Sequence, residues 1–180
     1  MNTPPASKAL PRLIEPRKLA LQGAHLEGVI ELKSLERLAE AVNAVDQLPQ
    51  VMVTFTSDDF GAKLVRGEVE LTVRVPCQRC LNDMALPLRS EFAVAIVWTD
   101  DEAEQLPKHL EPWLVPDFEG DLHQLVEEEI LLALPMVSYH DPESCQLTDY
   151  QEPDPISEPV AVQSQTRENP FSVLEQLKRK

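Results

Sequence analysis

Two cysteines, Cys77 and Cys80, lie two residues apart in the stretch RVPCQRCLNDMALPL and are the residues best suited to chemistry. A C-x-x-C pair can bind a metal ion, exchange electrons, or simply form part of a turn. Redox pairs of the thioredoxin type lie where a strand meets a helix, because the helix N-terminus lowers the pKa of the first thiol. The residues after Cys80 instead predict a hairpin that returns to another strand. The pattern therefore favours metal binding or a plain turn over redox chemistry.

The metal interpretation requires two further ligands. A hairpin C-x-x-C supplies half of many zinc sites, and a structural zinc ion takes four ligands in tetrahedral geometry. Further along the chain, His140 and Cys145 have a spacing compatible with chelation, so Cys77, Cys80, His140 and Cys145 form a candidate Cys3His set. A plain hairpin with reduced thiols explains the same residues. The sequence leaves both interpretations open and indicates no cofactor other than zinc.

Catalytic motifs are not recognisable elsewhere. The chain has five glycines and no Gly-rich phosphate loop, Ser nucleophile elbow or H-E-x-x-H motif. A paired-carboxylate catalytic site at the consecutive Glu127, Glu128 and Glu129 is disfavoured, and we expect these residues to lie mainly on the solvent side of a helix. We therefore predict a binding or assembly protein that is not an enzyme and has no small-molecule substrate.

The formal net charge of -15 is concentrated in one third of the chain. Residues 101–160 carry one basic and sixteen acidic side chains, and the remaining residues carry fifteen of each. Such a block attracts basic surfaces and repels phosphates, which dominate the affinity of nucleic-acid binding. A solvated acidic surface kept for solubility is the alternative. If the block has a partner, the charge favours a basic protein.

Alternating apolar residues predict the strands of the body. Residues 50–56 and 63–75 alternate with period two, with Gly67 expected to break the second run, and residues 85–98 predict one long strand or a strand pair. These segments follow one another without intervening helices, which favours an antiparallel sheet. A short extended segment at residues 26–33 precedes them.

Two helices are predicted to flank the strands. Ser34 occupies the N-cap position of one, before apolar residues at helical spacing. Asp121 and Gln124 match a capping box at the start of the other, which Pro135 ends.

We predict an α+β fold with a mainly antiparallel, barrel-like sheet, two or three flanking helices and a disordered acidic C-terminal tether. The predicted organisation is a flexible N-terminus at residues 1–12, a single domain at 13–140, an acidic linker at 141–168 and a short amphipathic helix at 169–180. The sequence shows no secretory signal and no apolar run of membrane-spanning length, which predicts a cytoplasmic protein without membrane contact. An odd cysteine count argues against a disulfide framework.

The predicted C-terminal helix has an apolar side and a basic end. Asn169 fits its N-cap and Pro170 its first position, while Lys178 begins the basic end. A helix this short is marginal alone and should form when its apolar side is covered, either by its own domain or by a partner. The candidate partner-binding residues of the chain are Arg79, Glu127, Glu128, Glu129, Phe171, Leu174, Leu177 and Lys178.

Three motifs in order resemble those of the YceD family, the large ribosomal RNA subunit accumulation proteins of bacteria. They are V-x-C-Q-R-C-L at residues 75–81, E-x-E-I-x-L-A-L-P at 127–135 and N-P-F-x-V-L-x-x-L-K-R-K at 169–180. The resemblance implies a role in the synthesis, processing or stability of 23S ribosomal RNA, without a known catalytic activity. It also implies a second C-x-x-C-like pair after the helix in other members, where this chain keeps only His140 and Cys145.

Combining the resemblance with the charge, we predict binding of a basic ribosomal protein of the large subunit. The alternative is direct binding of the ribosomal RNA precursor by the basic termini and by arginines of the sheet, of which Arg66 and Arg74 share strand parity. The arginines considered for this role are Arg66, Arg74, Arg79 and Arg89.

Overall fold

A computed structural model of the chain describes residues 8–58, 61–108 and 110–145. These residues belong to the first of two compact units, which comprises residues 1–146. The predicted C-terminal helix and most of the predicted acidic linker lie outside the described residues, and those predictions stay untested.

Seven strands and four α-helices make up the described part of the chain. The strands are β1 (Leu13–Ile14), β2 (His25–Val29), β3 (Ala44–Ser57), β4 (Lys63–Pro76), β5 (Asp83–Val97), β6 (Glu111–Leu114) and β7 (Gly120–Asp121). The helices are α1 (Pro16–Gln22), α2 (Glu36–Ala41), α3 (Asp100–Glu104) and α4 (Leu122–Ala133), and a 3-10 turn spans Leu32–Ser34. Within these described residues, no helix has the length and apolar character needed to cross a membrane.

Five of the strands form one sheet in the order β2-β3-β4-β5-β6. All neighbours are antiparallel except β5 and β6, which are parallel, and β1 pairs separately with β7. The α+β class is confirmed. The sheet is open rather than closed into a barrel, because β2 and β6 lie at opposite edges.

The N-terminal residues extend the body beyond the expected start at residue 13. Ala9 forms an isolated bridge with Val29, and the Leu10 backbone donates to the Val29 carbonyl at 3.0 Å. The Leu10 side chain is buried in the core. Residues 8–10 therefore cover part of the outer edge of β2.

One face of the sheet is covered and apolar, and the opposite face is open and polar. From β3, the covered face receives Val51, Val53 and Phe55, all buried. Helix α4 packs on this face with buried side chains that include Leu122 and Ile130. Burying one such side chain stabilises the fold by about 1.5–3 kcal/mol.

The segment after the cysteines forms one long strand, β5, which pairs with β4 from Leu64–Ala95 to Pro76–Asp83. Gly67 was expected to interrupt β4, but the strand continues through it, opposite Phe92. The Phe92 ring lies over Gly67, where a Cβ atom would overlap the ring. Gly67 thus makes room for an aromatic side chain of the neighbouring strand.

We expect Gly67→Ala to destabilise the protein by about 1–3 kcal/mol, because the added methyl group collides with a buried ring. Urea denaturation followed by circular dichroism measures this change in the free energy of unfolding. In a Phe92→Leu background, which removes the ring, the same substitution should have a smaller effect. An equal loss of stability in both backgrounds would contradict this explanation.

Helix α4 begins as predicted, and it also caps α2. The Asp121 side chain accepts a hydrogen bond from the backbone N–H of Gln124 at 3.0 Å, which confirms its role as N-cap. The Gln124 side chain does not reach back as expected, and its amide contacts the Glu128 carboxylate at 3.3 Å. The Glu127 carboxylate accepts from the backbone N–H of Leu38 at 3.1 Å, in the first turn of α2.

Two predictions about these helices were wrong. Ser34 is not the N-cap of α2, because it lies in the preceding 3-10 turn and Leu35 is the N-cap, without a side-chain cap bond. The glutamates of α4 are not mainly on the solvent side, since Glu127 and Glu129 are buried and Glu128 is half-buried. Three consecutive residues cover most of a helical turn, so a helix packed between the sheet and α2 must bury some of them.

Burial raises the pKa of Glu129, with further contributions from the charges of Glu111 and Glu128.

Candidate metal centre

The hairpin between β4 and β5 carries Cys77 and Cys80 in a tight turn. The Cys77 backbone N–H donates to the Asn82 carbonyl at 2.9 Å, and the Leu81 N–H donates to the Cys77 carbonyl at 2.8 Å. Leu81 has φ of 61°, a left-handed conformation that closes the turn. The predicted hairpin is confirmed, and it places both cysteine side chains in buried positions.

The segment after α4 returns to this hairpin. The backbone N–H of Gln78 donates to the Ser138 carbonyl at 2.9 Å, and the Gln78 side-chain amide donates to the Met136 carbonyl at 3.3 Å. Beyond this contact, a turn forms in which the Cys145 N–H donates to the Asp141 carbonyl at 3.0 Å. These backbone contacts bring the second half of the candidate ligand set to the first.

The four candidate ligands form one cluster. The donor atoms of Cys77, Cys80, His140 and Cys145 all lie within 4.8 Å of one another. Cys77 Sγ and Cys145 Sγ are 3.9 Å apart, and Cys80 Sγ and His140 Nδ1 are 3.3 Å apart. Two sulfurs bound to one zinc ion at about 2.3 Å in tetrahedral geometry lie about 3.8 Å apart. The donor set therefore fits zinc in type, number and separation.

Cys77, Cys80 and Cys145, which all lie in the described part of the chain, form no disulfide bond. The 3.9 Å between the sulfurs of Cys77 and Cys145 is far longer than a disulfide bond, which is about 2.05 Å. The sequence could not decide between an isolated His–Cys pair and a second half-site. The structure brings His140 and Cys145 to the hairpin, as the metal interpretation requires.

His140 is held in the orientation that a metal ligand needs. Its Nε2 lies 3.3 Å from the Asp83 carbonyl oxygen, so an Nε2–H can donate there and leave the Nδ1 lone pair directed at the cluster. Hydrogen bonding of the second ring nitrogen to a carbonyl or carboxylate is the usual support of a zinc-bound histidine. The backbone N–H of His140 also donates to Cys77 Sγ at 3.4 Å.

The surroundings of Cys77 favour its thiolate. Burial alone would raise its pKa, but the backbone N–H groups of Cys80, His140 and Arg79 are directed at its sulfur and lower the pKa to about 5. Burial raises the pKa of Cys145, as do its contacts with the sulfurs of Cys80 and Cys77. Several thiolates in one small volume repel one another, and a bound divalent cation would remove that repulsion.

The other predicted site residues are spread over the chain. Arg79 lies on the outside of the hairpin with its guanidinium 5.3 Å from the centre of the Tyr139 ring. Of the glutamates of α4, Glu127 caps α2 and Glu128 pairs with Arg37 of that helix at 3.4 Å. The remaining predicted contacts, Phe171, Leu174, Leu177 and Lys178, lie outside the described residues.

Sequence reasoning missed the groups that support the cluster. The Asp83 carbonyl and the backbone N–H groups around Cys77 have no side-chain signal, so no residue type could reveal them. The contact between Arg79 and the Tyr139 ring was also missed.

Comparison with known proteins agrees with the motifs. The profile of the family described as large ribosomal RNA subunit accumulation protein YceD matches residues 65–178. The chain is also 34% identical over 172 residues to the large ribosomal RNA subunit accumulation protein YceD of Haemophilus influenzae, covering 95% of this chain and 97% of that protein. This chain belongs to the YceD family. The match to the YceD profile begins within β4 and includes all four candidate ligands. No solved structure matches the chain.

Proposed function

We propose that this chain is a non-enzymatic factor that supports the accumulation of 23S ribosomal RNA by binding a basic protein of the large ribosomal subunit. The observation that supports this role is the sequence similarity to a protein named for large ribosomal RNA accumulation. The similarity extends over 95% of this chain. The family profile, which matches as far as residue 178, includes most of the C-terminal residues. The family name says nothing of the partner, so the partner is inferred from charge.

Exposed carboxylates on the described body support a cationic partner. Helix α3 presents Asp100, Asp101, Glu102 and Glu104 within five residues. It packs against β5 and β6, and Glu111 of β6 is also exposed. A surface of one sign raises the local concentration of oppositely charged partners and speeds their association.

The arrangement of the arginines gives less support to direct RNA binding. Arg66, Arg74 and Arg89 do share the open face of the sheet. However, the Arg74 guanidinium is 2.9 Å from the Asp46 carboxylate, so its charge is already paired. Arg89 is paired with three carboxylates, those of Glu68, Glu70 and Glu91. Paired arginines have less free charge to offer to phosphates, on which RNA affinity depends.

We also propose that Cys77, Cys80, His140 and Cys145 bind one zinc ion in a structural role. With four protein ligands no coordination position is left for a substrate, which is the pattern of structural rather than catalytic zinc. Zinc supplies the positive charge that lets the thiolates share one site. The ligands themselves join the β4–β5 hairpin to the segment that follows α4.

The proposed function is tested by deleting the gene and measuring the ratio of mature 23S to 16S ribosomal RNA. We expect the ratio to fall and to return when the full chain is supplied.

Affinity purification of the tagged chain after nuclease treatment should capture a basic large-subunit protein, and a chain lacking residues 169–180 tests the contribution of the C-terminal segment. An unchanged ratio would refute the role, and capture that disappears with nuclease treatment would favour RNA as the direct partner.

A further inference from the structure

A pair of exposed aromatic rings lies next to the acidic helix α3. Trp98 follows β5 directly, and its ring meets the Phe118 ring edge to face, with 6.3 Å between the ring centres. Phe118 is 82% exposed although it is a large apolar side chain. Phe118 also lines an open groove together with Leu13, which is itself exposed. We call these rings and the groove the Trp98–Phe118 surface.

Carboxylates surround the Trp98–Phe118 surface. Glu15, Asp117 and Glu119 line the same groove as Phe118. Helix α3, which begins two residues after Trp98, adds four more carboxylates. An apolar centre with a charged rim is the usual composition of a protein-binding surface.

The surface already holds one guanidinium group. The Arg17 guanidinium lies 3.3 Å from the centre of the Trp98 ring and donates to the carbonyl oxygens of Val115 and Asp117, at 3.0 and 3.3 Å. Stacking on an aromatic face combined with hydrogen bonds to acceptors is how arginine is recognised in proteins. Arg17 uses the Trp98 face, whereas the Phe118 ring is left exposed to solvent.

We infer that the Trp98–Phe118 surface is the docking surface for an arginine- and lysine-rich segment of a basic protein. The Phe118 ring would contact aliphatic stems and guanidinium groups, and the carboxylates of α3, Asp117 and Glu119 would pair with the charges, since Glu15 already pairs with Lys18. A polyanion is repelled by this rim, and two copies of the same acidic surface repel each other. The inference rests on the proposed function, because it specifies where on the body the basic partner binds.

The test measures binding of a fluorescein-labelled nonapeptide of arginine and lysine to the full chain by fluorescence anisotropy. Phe118→Ala should weaken binding about tenfold, as expected for an aromatic residue at the centre of an interface. Leu132→Ala is the matched control, since Leu132 is 75% exposed on α4. It should leave the affinity unchanged. Thermal melting of both variants verifies that each remains folded.

A second pair of variants tests the rim. Glu104→Lys, at the end of α3, should weaken binding about threefold by reversing a charge beside the surface. Glu40→Lys makes the same change near the end of α2, at an exposed position, and should have a smaller effect. Equal effects of the two substitutions would show that only net charge matters and would overturn the localised surface.

The outcomes separate this inference from the proposed function. If Phe118→Ala binds the nonapeptide as the unmodified chain does, while the unmodified chain still captures a large-subunit protein, the surface is wrong and the proposed function stands. If the unmodified chain captures no ribosomal protein and does not bind the nonapeptide, both the surface and the proposed basic partner are wrong. If labelled ribosomal RNA binds and Phe118→Ala removes that binding, the partner class is wrong.

Discussion

Replacing Cys77 by serine should abolish zinc binding by the purified protein. The substitution removes a thiolate that receives several backbone hydrogen bonds and leaves three ligands around the ion. We expect the unmodified chain to contain one zinc ion per molecule and the variant to contain almost none, as measured by elemental analysis. Because structural zinc contributes directly to folding energy, the melting temperature should fall as well, and chelation of the unmodified chain should lower it similarly.

Arg79→Ala is the matched control for this prediction. Arg79 lies in the same turn between the two cysteines and provides no metal ligand, so the variant should retain its zinc. His140→Asn should reduce the zinc content, since it removes the nitrogen ligand and its contact with the Asp83 carbonyl. A Cys77→Ser protein that still holds one zinc per chain would exclude this cluster as the binding site.

Salt should weaken the complex with a basic ribosomal protein steeply. The Debye length falls from about 10 Å at 0.1 M salt to about 3 Å at 1 M, so exposed carboxylates lose most of their attraction for a cationic partner. Over this range we expect the affinity to fall roughly a hundredfold, mainly through slower association. Surface plasmon resonance with the captured ribosomal protein at four salt concentrations measures both rates.

Two variants show whether this salt dependence comes from the acidic rim. Glu104→Lys should reduce the slope of affinity against salt, because it removes an attractive charge and adds a repulsive one. Leu132→Ala changes no charge and should keep the slope of the unmodified chain. An affinity that is the same at low and high salt would rule out an electrostatic partner interaction, whatever the identity of the partner.

Much of the β-structure could be predicted from the sequence, because alternating apolar residues report directly which side of a strand is buried. The pattern at residues 63–75 gave β4 nearly to its ends, and the pair Cys77–Cys80 indicated the hairpin after it. The N-cap at Asp121 was equally visible, because the capping interaction is local and depends on residue type. Predictions succeeded where neighbouring residues determine the structure.

Features that depend on distant residues could not be read from local patterns. The cap of α2 comes from Glu127 rather than from Ser34, because the donor at Leu38 and its acceptor belong to different helices. The continuity of β4 through Gly67 depends on Phe92 in the next strand. The candidate metal centre falls between these cases: its donor residues could be named, but only the return of the chain to Gln78 brings them together.

The Glu127 cap also has a consequence for the order in which the chain assembles. Leu38 and Glu127 are 89 positions apart, so during synthesis α2 emerges long before its acceptor exists. The strands β3, β4 and β5 are joined in sequence by two hairpins. Each can pair with the one before it as soon as it leaves the ribosome, because contacts close in sequence form early. Helix α1 precedes these strands and packs on β3 and β4, but the part of the apolar face that α4 covers stays exposed until α4 has been made. We therefore expect the newly made chain to be most prone to aggregation before α4 docks.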